Sequence, residues 1–122
     1  MCNILISINP QHVENIFNGS KKYEYRKIRC KQEVDKIIIY STSPIMKVVG
    51  EAKIEKILED SPEVIWEETK NYAGIDLNFY KKYYENKNKA VAYKLTNIIK
   101  YATPKELTSY GIKSAPQSYI YV

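Results

Sequence analysis

The chain has 122 residues, 44% of them hydrophobic and 27% charged, with a formal net charge of +5. That length suits one domain, residues 1–122, able to bury a core without metal or disulfide staples, and the composition excludes wholesale disorder. The longest apolar runs are a handful of residues, so no segment is expected to span a membrane, and MCNILISINP has neither the basic region nor the cleavage site of a signal peptide.

In chain order, residues 4–8 (ILISI) read as a buried strand. Asn9 followed by Pro10 is a helix entry, an amide cap with proline in the first turn. Val13, Ile16 and Phe17 share one helical face, and Asn18-Gly19 closes the helix with a residue free to take a positive φ. A strand is predicted from 23 to about 28, a polar turn over 30–33, and a second strand over 35–40. Ser41-Thr42-Ser43-Pro44 ends that strand, because proline cannot donate to a ladder. In 47–58, Gly50, Ala52 and Ile54 alternate with Glu51, Lys53 and Glu55. The small residues facing in admit a second backbone or let the sheet curve.

Ser61-Pro62 repeats the helix entry, ahead of Val64, Ile65, Trp66 and Glu68. A further helix is predicted over 76–84, with Leu77, Tyr80, Tyr83 and Tyr84 at helical spacing. That stripe is either a platform for stacking bases or, on the stronger reading, the inner face of a packing helix. Residues 90–99 read as a long strand. Thr103-Pro104-Lys105-Glu106 has the form of a capping box opening a helical turn, and APQSYIYV is a last strand entered through Pro116. The order of elements predicts a mixed α+β domain around a curved sheet. Two cysteines, Cys2 and Cys30, and one histidine, His12, cannot furnish four soft ligands. No metal is expected, and the cysteines read as free thiols of a reducing cytoplasm.

Charge is concentrated at residues 21–31, where six cations face one carboxylate, Glu24, and hold the whole of the chain's excess. Such a cluster fits an anionic partner, nucleic acid first, or equally a solvated hairpin kept soluble by lysine. Strand alternation predicts Lys22, Glu24 and Arg26 on one face and Tyr23 and Tyr25 on the other, with same-face neighbours about 6–7 Å apart. Glu24 among these cations should stay ionised and orient the guanidinium. Arg26 and Arg29 are the only arginines among 19 basic residues, which suggests a place where a planar fork is needed for phosphate or a base edge. The competing reading is an exposed ion-pair ladder, worth less than about 1 kcal/mol.

Gly19, Lys21, Glu24 and Arg26, in the order G-x-K-x-x-E-x-R between a helix end and a strand, resemble the signature of ASCH domains of the PUA-like superfamily. The Asn9-Pro10 entry, Tyr40-Ser41-Thr42-Ser43-Pro44 and Pro116-Gln117-Ser118-Tyr119 extend the resemblance over essentially the whole chain. It implies a small β-barrel, a curved mixed sheet with helices packed around it, and a cleft beside the first helix lined by the motif. It also implies binding of RNA or another nucleic acid, with a modified or flipped nucleotide in the cleft, in regulation of transcription or RNA processing. A cytoplasmic monomer without a cofactor is expected. On this resemblance Lys21 and Arg26 contact phosphate or base, and Glu24 orients them or accepts from an amino group; Lys22, placed by alternation on the face of Glu24 and Arg26, joins the nucleic-acid-binding candidates. Ser41 and Ser43 stand where a strand ends near the cleft, and Gln117 and Ser118 line its opposite wall. Gln117 reads equally well as a structural hydrogen bond closing the barrel, and His12 reads as a solvent-facing helix residue.

Two other readings stay open. Some ASCH proteins resemble amidohydrolases of acylated cytidine that use a lysine, a threonine and a glutamate. Lys21 matches that lysine, but the threonine position holds Glu24, so the hydroxyl is missing. Lys21 and Glu24 are nonetheless the catalytic candidates, as an acid–base pair in such a hydrolase or in a ribonuclease. The other reading is a protein-interaction module using exposed tyrosines.

Overall fold

Each helix begins where a polar side chain can take up a free backbone N–H. In the computed structural model, which describes residues 2–122, Asn9 Oδ1 accepts from Gln11 N at 2.8 Å, Ser61 Oγ from Val64 N at 3.3 Å and Asp76 Oδ1 from Phe79 N at 2.7 Å. Met1, with which the expected single domain opens, lies outside the described residues. The caps introduce α1 (Pro10–Phe17), α2 (Pro62–Thr69) and α3 (Leu77–Tyr83). The strands are β1 (Cys2–Ile8), β2 (Tyr23–Arg26), β3 (Val34–Ser41), β4 (Lys47–Asp60), β5 (Ala90–Lys105) and β6 (Tyr119–Tyr121). Among the described residues no helix is long and apolar enough to cross a membrane.

The strands form one mixed sheet in the order β2-β5-β4-β3-β1-β6, with β1 parallel to β3 and the other pairs antiparallel. It curls into a half-barrel carrying the helices, an α+β fold of PUA-like form. Alternation sends Ile4, Ile6, Ile37 and Ile39 into the core under Val13 and Ile16 of α1. Leu5, Ile38 and Tyr40 pack on the other face with Val48 and Ile112. Tyr25, Ile65, Tyr80, Tyr84 and Ala92 form a second core beneath α2 and α3. Tyr80 and Tyr84 of the stripe thus face inward. Gly50 makes the predicted close approach, since a Cβ there would lie 2.4 Å from the Ile99 carbonyl oxygen and 2.8 Å from the Phe17 ring.

Two predicted elements differ. β2 stops at Arg26, paired with Val91, because β5 begins only one residue earlier, at Ala90, and leaves no partner for Ile28. Residues 103–106 form no capping box: β5 runs on to Lys105, opposite Val48, and the helical turn starts at Leu107 with no side-chain cap bond from Glu106. Pairing with β4 outweighs the local cap. Pro104 falls where the register shifts between Val48 and Gly50, a place where a missing N–H is tolerated.

Candidate functional site

The motif strand lies at one edge of the sheet, and its side chains converge on the end of β1. Lys21 precedes β2 and forms an isolated antiparallel bridge with Ala73. Its side chain is buried at 2% exposure. The ammonium donates to the Ala73 carbonyl at 2.9 Å and sits 4.7 Å from the centre of the Tyr25 ring. Gly74 makes that path possible: its φ is +69°, and a Cβ there would lie 2.3 Å from Lys21 Cβ. Asn15 of α1 fixes the same turn by donating to the Gly74 carbonyl at 3.0 Å.

Glu24 and Arg26, two apart on β2, share a face as alternation requires. Arg26 donates to Glu24 Oε2 through Nε at 3.0 Å and Nη2 at 2.7 Å, and through Nη2 to the Ser7 carbonyl at 3.1 Å. The guanidinium therefore joins β2 to β1, strands that are not neighbours in the sheet. The Tyr84 hydroxyl donates to the Arg26 carbonyl at 2.8 Å and holds the strand from behind. With Glu24 at 5% exposure, the pair is a buried strut, not an exposed ladder.

Together these groups line a cleft of about 140 Å³ whose other walls include Asn9 and His12 of α1 and Phe79 and Tyr83 of α3. Burial holds the Lys21 amine below the usual lysine range; Glu24 draws it back up and Arg26 pushes it further down. His12 is also held below its ordinary value, first by burial and then by Lys21, with Glu24 opposing and Arg26 adding. Burial raises the Tyr25 hydroxyl to about 12, and the hydroxyl donates to Thr69 Oγ1 at 2.7 Å. The cleft thus offers rigid cations, a carboxylate and aromatic edges to a small ligand. Among the described residues no cluster of His, Cys, Asp and Glu could hold a metal ion.

The remaining sequence candidates lie elsewhere. Lys22 is exposed on the outer side, its ammonium 4.4 Å from the centre of the Tyr72 ring. The regular strand begins only at Tyr23, and Lys21 is the cation that enters the cleft. Ser41 is buried opposite Ile8 at the end of β3, and Ser43 is exposed in the following turn. Gln117 and Ser118 are exposed on the approach to β6. The Ser118 carbonyl accepts from Ser7 N at 3.3 Å, and Ser7 Oγ donates to the Pro116 carbonyl at 2.7 Å. This tail supports the residue that holds Arg26 without lining the cleft. His12 departs from its solvent-facing expectation: it is half-buried in the cleft, edge-on to Phe79 at 5.3 Å. Asn9, Gly74, Phe79 and Tyr83 were not singled out as site residues, although Phe79 and Tyr83 stand at i,i+4 spacing on α3.

The crystal structure of ASCH from Zymomonas mobilis matches this fold with a TM-score of 0.89 at 26% identity, over 98% of this chain and 87% of that one. A mutant of the same protein gives 0.88 at 25% identity, over 98% and 89%. An ASCH domain-containing ribonuclease of Zymomonas mobilis subsp. mobilis is 30% identical over 92 residues, 75% of this chain and 62% of its own length. The family model described as a domain of unknown function, DUF365, matches residues 2–119. This chain is an ASCH domain of the DUF365 family. The same ASCH domain is similar to two Ureaplasma parvum serovar 3 proteins, named ATP synthase subunit alpha and large ribosomal subunit protein uL22. Each is 31% identical over 120 residues, 98% of this chain. The ASCH domain spans 15% and 39% of the length of those two proteins, so its counterpart is a segment of longer chains with unrelated names.

Proposed function

We propose that this ASCH domain binds RNA, taking one unstacked nucleotide into the cleft between α1, β2 and α3, as a module of transcription or RNA-processing regulation. The observation that carries this reading is the buried Lys21–Glu24–Arg26 constellation, held rigid beside aromatic edges. At about 140 Å³ the cleft is smaller than the roughly 300 Å³ at which drug-sized ligand sites begin, which suits one planar ring. Both bonds from Arg26 to Glu24 fall on Oε2, leaving Oε1 to accept from an exocyclic amino group. The cations answer the phosphate, as in single-stranded RNA recognition. The name of the Zymomonas relative, a ribonuclease, supports RNA as the polymer.

Fluorescence anisotropy with a short labelled single-stranded RNA tests the proposal. Arg26→Lys keeps the charge and loses the planar fork, so affinity should fall about tenfold, for a loss of about 1.4 kcal/mol. Lys21→Met, which preserves apolar length, should weaken binding as well. Wild-type affinity in both folded variants would overturn the reading.

One observation favours a catalytic extension: Lys21 and Glu24 line the same cleft, and burial holds the Lys21 amine below the usual lysine range, as an acid–base pair would require. Labelled RNA and acylated cytidine are the substrates to offer. Turnover by the wild type that is lost in Lys21→Met supports this second reading; equal traces in both eliminate it.

A further inference from the structure

Beyond the cleft, α2 and α3 enclose a larger groove of about 590 Å³. We infer that this groove is a second nucleotide subsite, in which a base of the same RNA strand stacks on Trp66 while Lys81 and Lys87 meet its phosphates. The inference rests on the RNA reading of the cleft and extends it along the strand.

The floor of the groove is aromatic and aliphatic. Trp66 is half-buried, its ring 4.7 Å from that of Tyr80, and Leu77 is exposed beside them. A fixed aromatic wall of this kind accepts any base by its π-face. The rim carries Lys70, Lys81 and Lys87 against Glu63 and Glu67. Lys70 is already paired with Glu67 at 2.6 Å. Lys81 and Lys87 have no carboxylate within salt-bridge distance among the described residues. They belong to residues 81–89, where four lysines accompany one glutamate. Free cations beside a stacking surface match a nucleotide better than an apolar peptide.

The groove also lies on the path of a strand leaving the cleft. Tyr83 lines the cleft and Tyr84 the groove, and the two rings are 4.8 Å apart at the end of α3. Only that helix separates the sites, a width of about 10–12 Å, which an extended strand of a few nucleotides can cross. Lys81 and Lys82, in the last turn of α3, stand along the crossing.

Trp66 is the sole tryptophan of the chain, so its selectively excited emission reports on the groove alone. A labelled hexacytidylate should bind the wild type and quench that emission, whereas cytidine monophosphate, held in the cleft, should not. Trp66→Leu should weaken hexacytidylate binding between about 5- and 150-fold and leave the mononucleotide unaffected. Lys81→Glu, which touches no core contact, should weaken the hexamer too. Hexamer binding without quenching, at wild-type affinity in both variants, overturns the second subsite and leaves the cleft reading standing. Quenching that persists with unchanged affinity in Arg26→Lys supports the groove and overturns the cleft. Absence of any hexamer binding overturns both.

Discussion

Lys21 owes its place to a residue with no side chain. Gly74 stands at φ +69°, and any Cβ there would overlap the first two carbons of Lys21. Gly74→Ala should cost about 2 kcal/mol or more, from the left-handed backbone and the clash together. Because the clash displaces the ammonium, RNA affinity should also fall at temperatures where the variant is still folded. Urea unfolding and anisotropy on one sample measure the two effects, and full affinity in a destabilised variant would show that Lys21 is not needed in the cleft. His12 carries a pH prediction. Its folded pKa lies below 6.5, so between those two values the unfolded chain binds more protons than the folded one. Stability should therefore rise with pH through that window and level off above it, and His12→Gln should flatten the rise. An anion in the cleft favours imidazolium, so the affinity of the folded protein for RNA should run the other way and increase as pH falls. Neither residue's environment could be read from sequence. The motif supplied Lys21 and Glu24, but the turn at Ala73–Gly74 that buries the lysine comes from 52 residues further along.

At the scale of elements, the short β2 is held by side chains as much as by its ladder. Among the described residues it pairs with β5 alone, and Arg26 bridges its open side to Ser7. Arg26→Ala should cost about 3–5 kcal/mol, because it leaves Glu24 buried without its counter-charge. Adding Glu24→Gln removes the orphaned charge, so the double variant should recover part of that stability while RNA binding stays lost. Thermal melts and anisotropy on both proteins separate the strut from the binding role. The helix starts were legible in sequence because capping is local: Asn9, Ser61 and Asp76 each act within three residues. Thr103 was misread because its competitor, β4, is distant in sequence and a local pattern cannot register it. The far wall of the cleft was missed for a related reason. The stripe on α3 was read as one inner face, whereas only Tyr80 and Tyr84 are buried in the core and Tyr83 joins Phe79, which the stripe omitted, on the face that lines the cleft.

For the molecule as a whole, the charge excess of residues 21–31 was plain in the sequence, but its distribution over the surface was not. Two lysines of that segment, Lys22 and Lys27, have the same charge and the same kind of aromatic neighbour. Lys22 lies over Tyr72, which does not line the cleft, and Lys27 lies 4.7 Å from the centre of the ring of Tyr83, which does. Each exposed cation that neutralises a phosphate of single-stranded RNA contributes about 0.7 to the slope of log affinity against log salt, through the counterions it releases. Lys27→Ala should therefore reduce the slope by about 0.7, and Lys22→Ala should leave it unchanged. Lys21 and Arg26 should behave differently from both: burial disfavours the charged form of Lys21 and Glu24 balances the charge of Arg26, so neither adds a full net charge against a phosphate. Their variants should lower affinity at every salt concentration with little change in slope. Anisotropy titrations of the four variants across a salt series would resolve the two patterns. A uniform drop in slope for all four would mean that the segment acts as a diffuse basic patch and that the cleft contributes no defined contact.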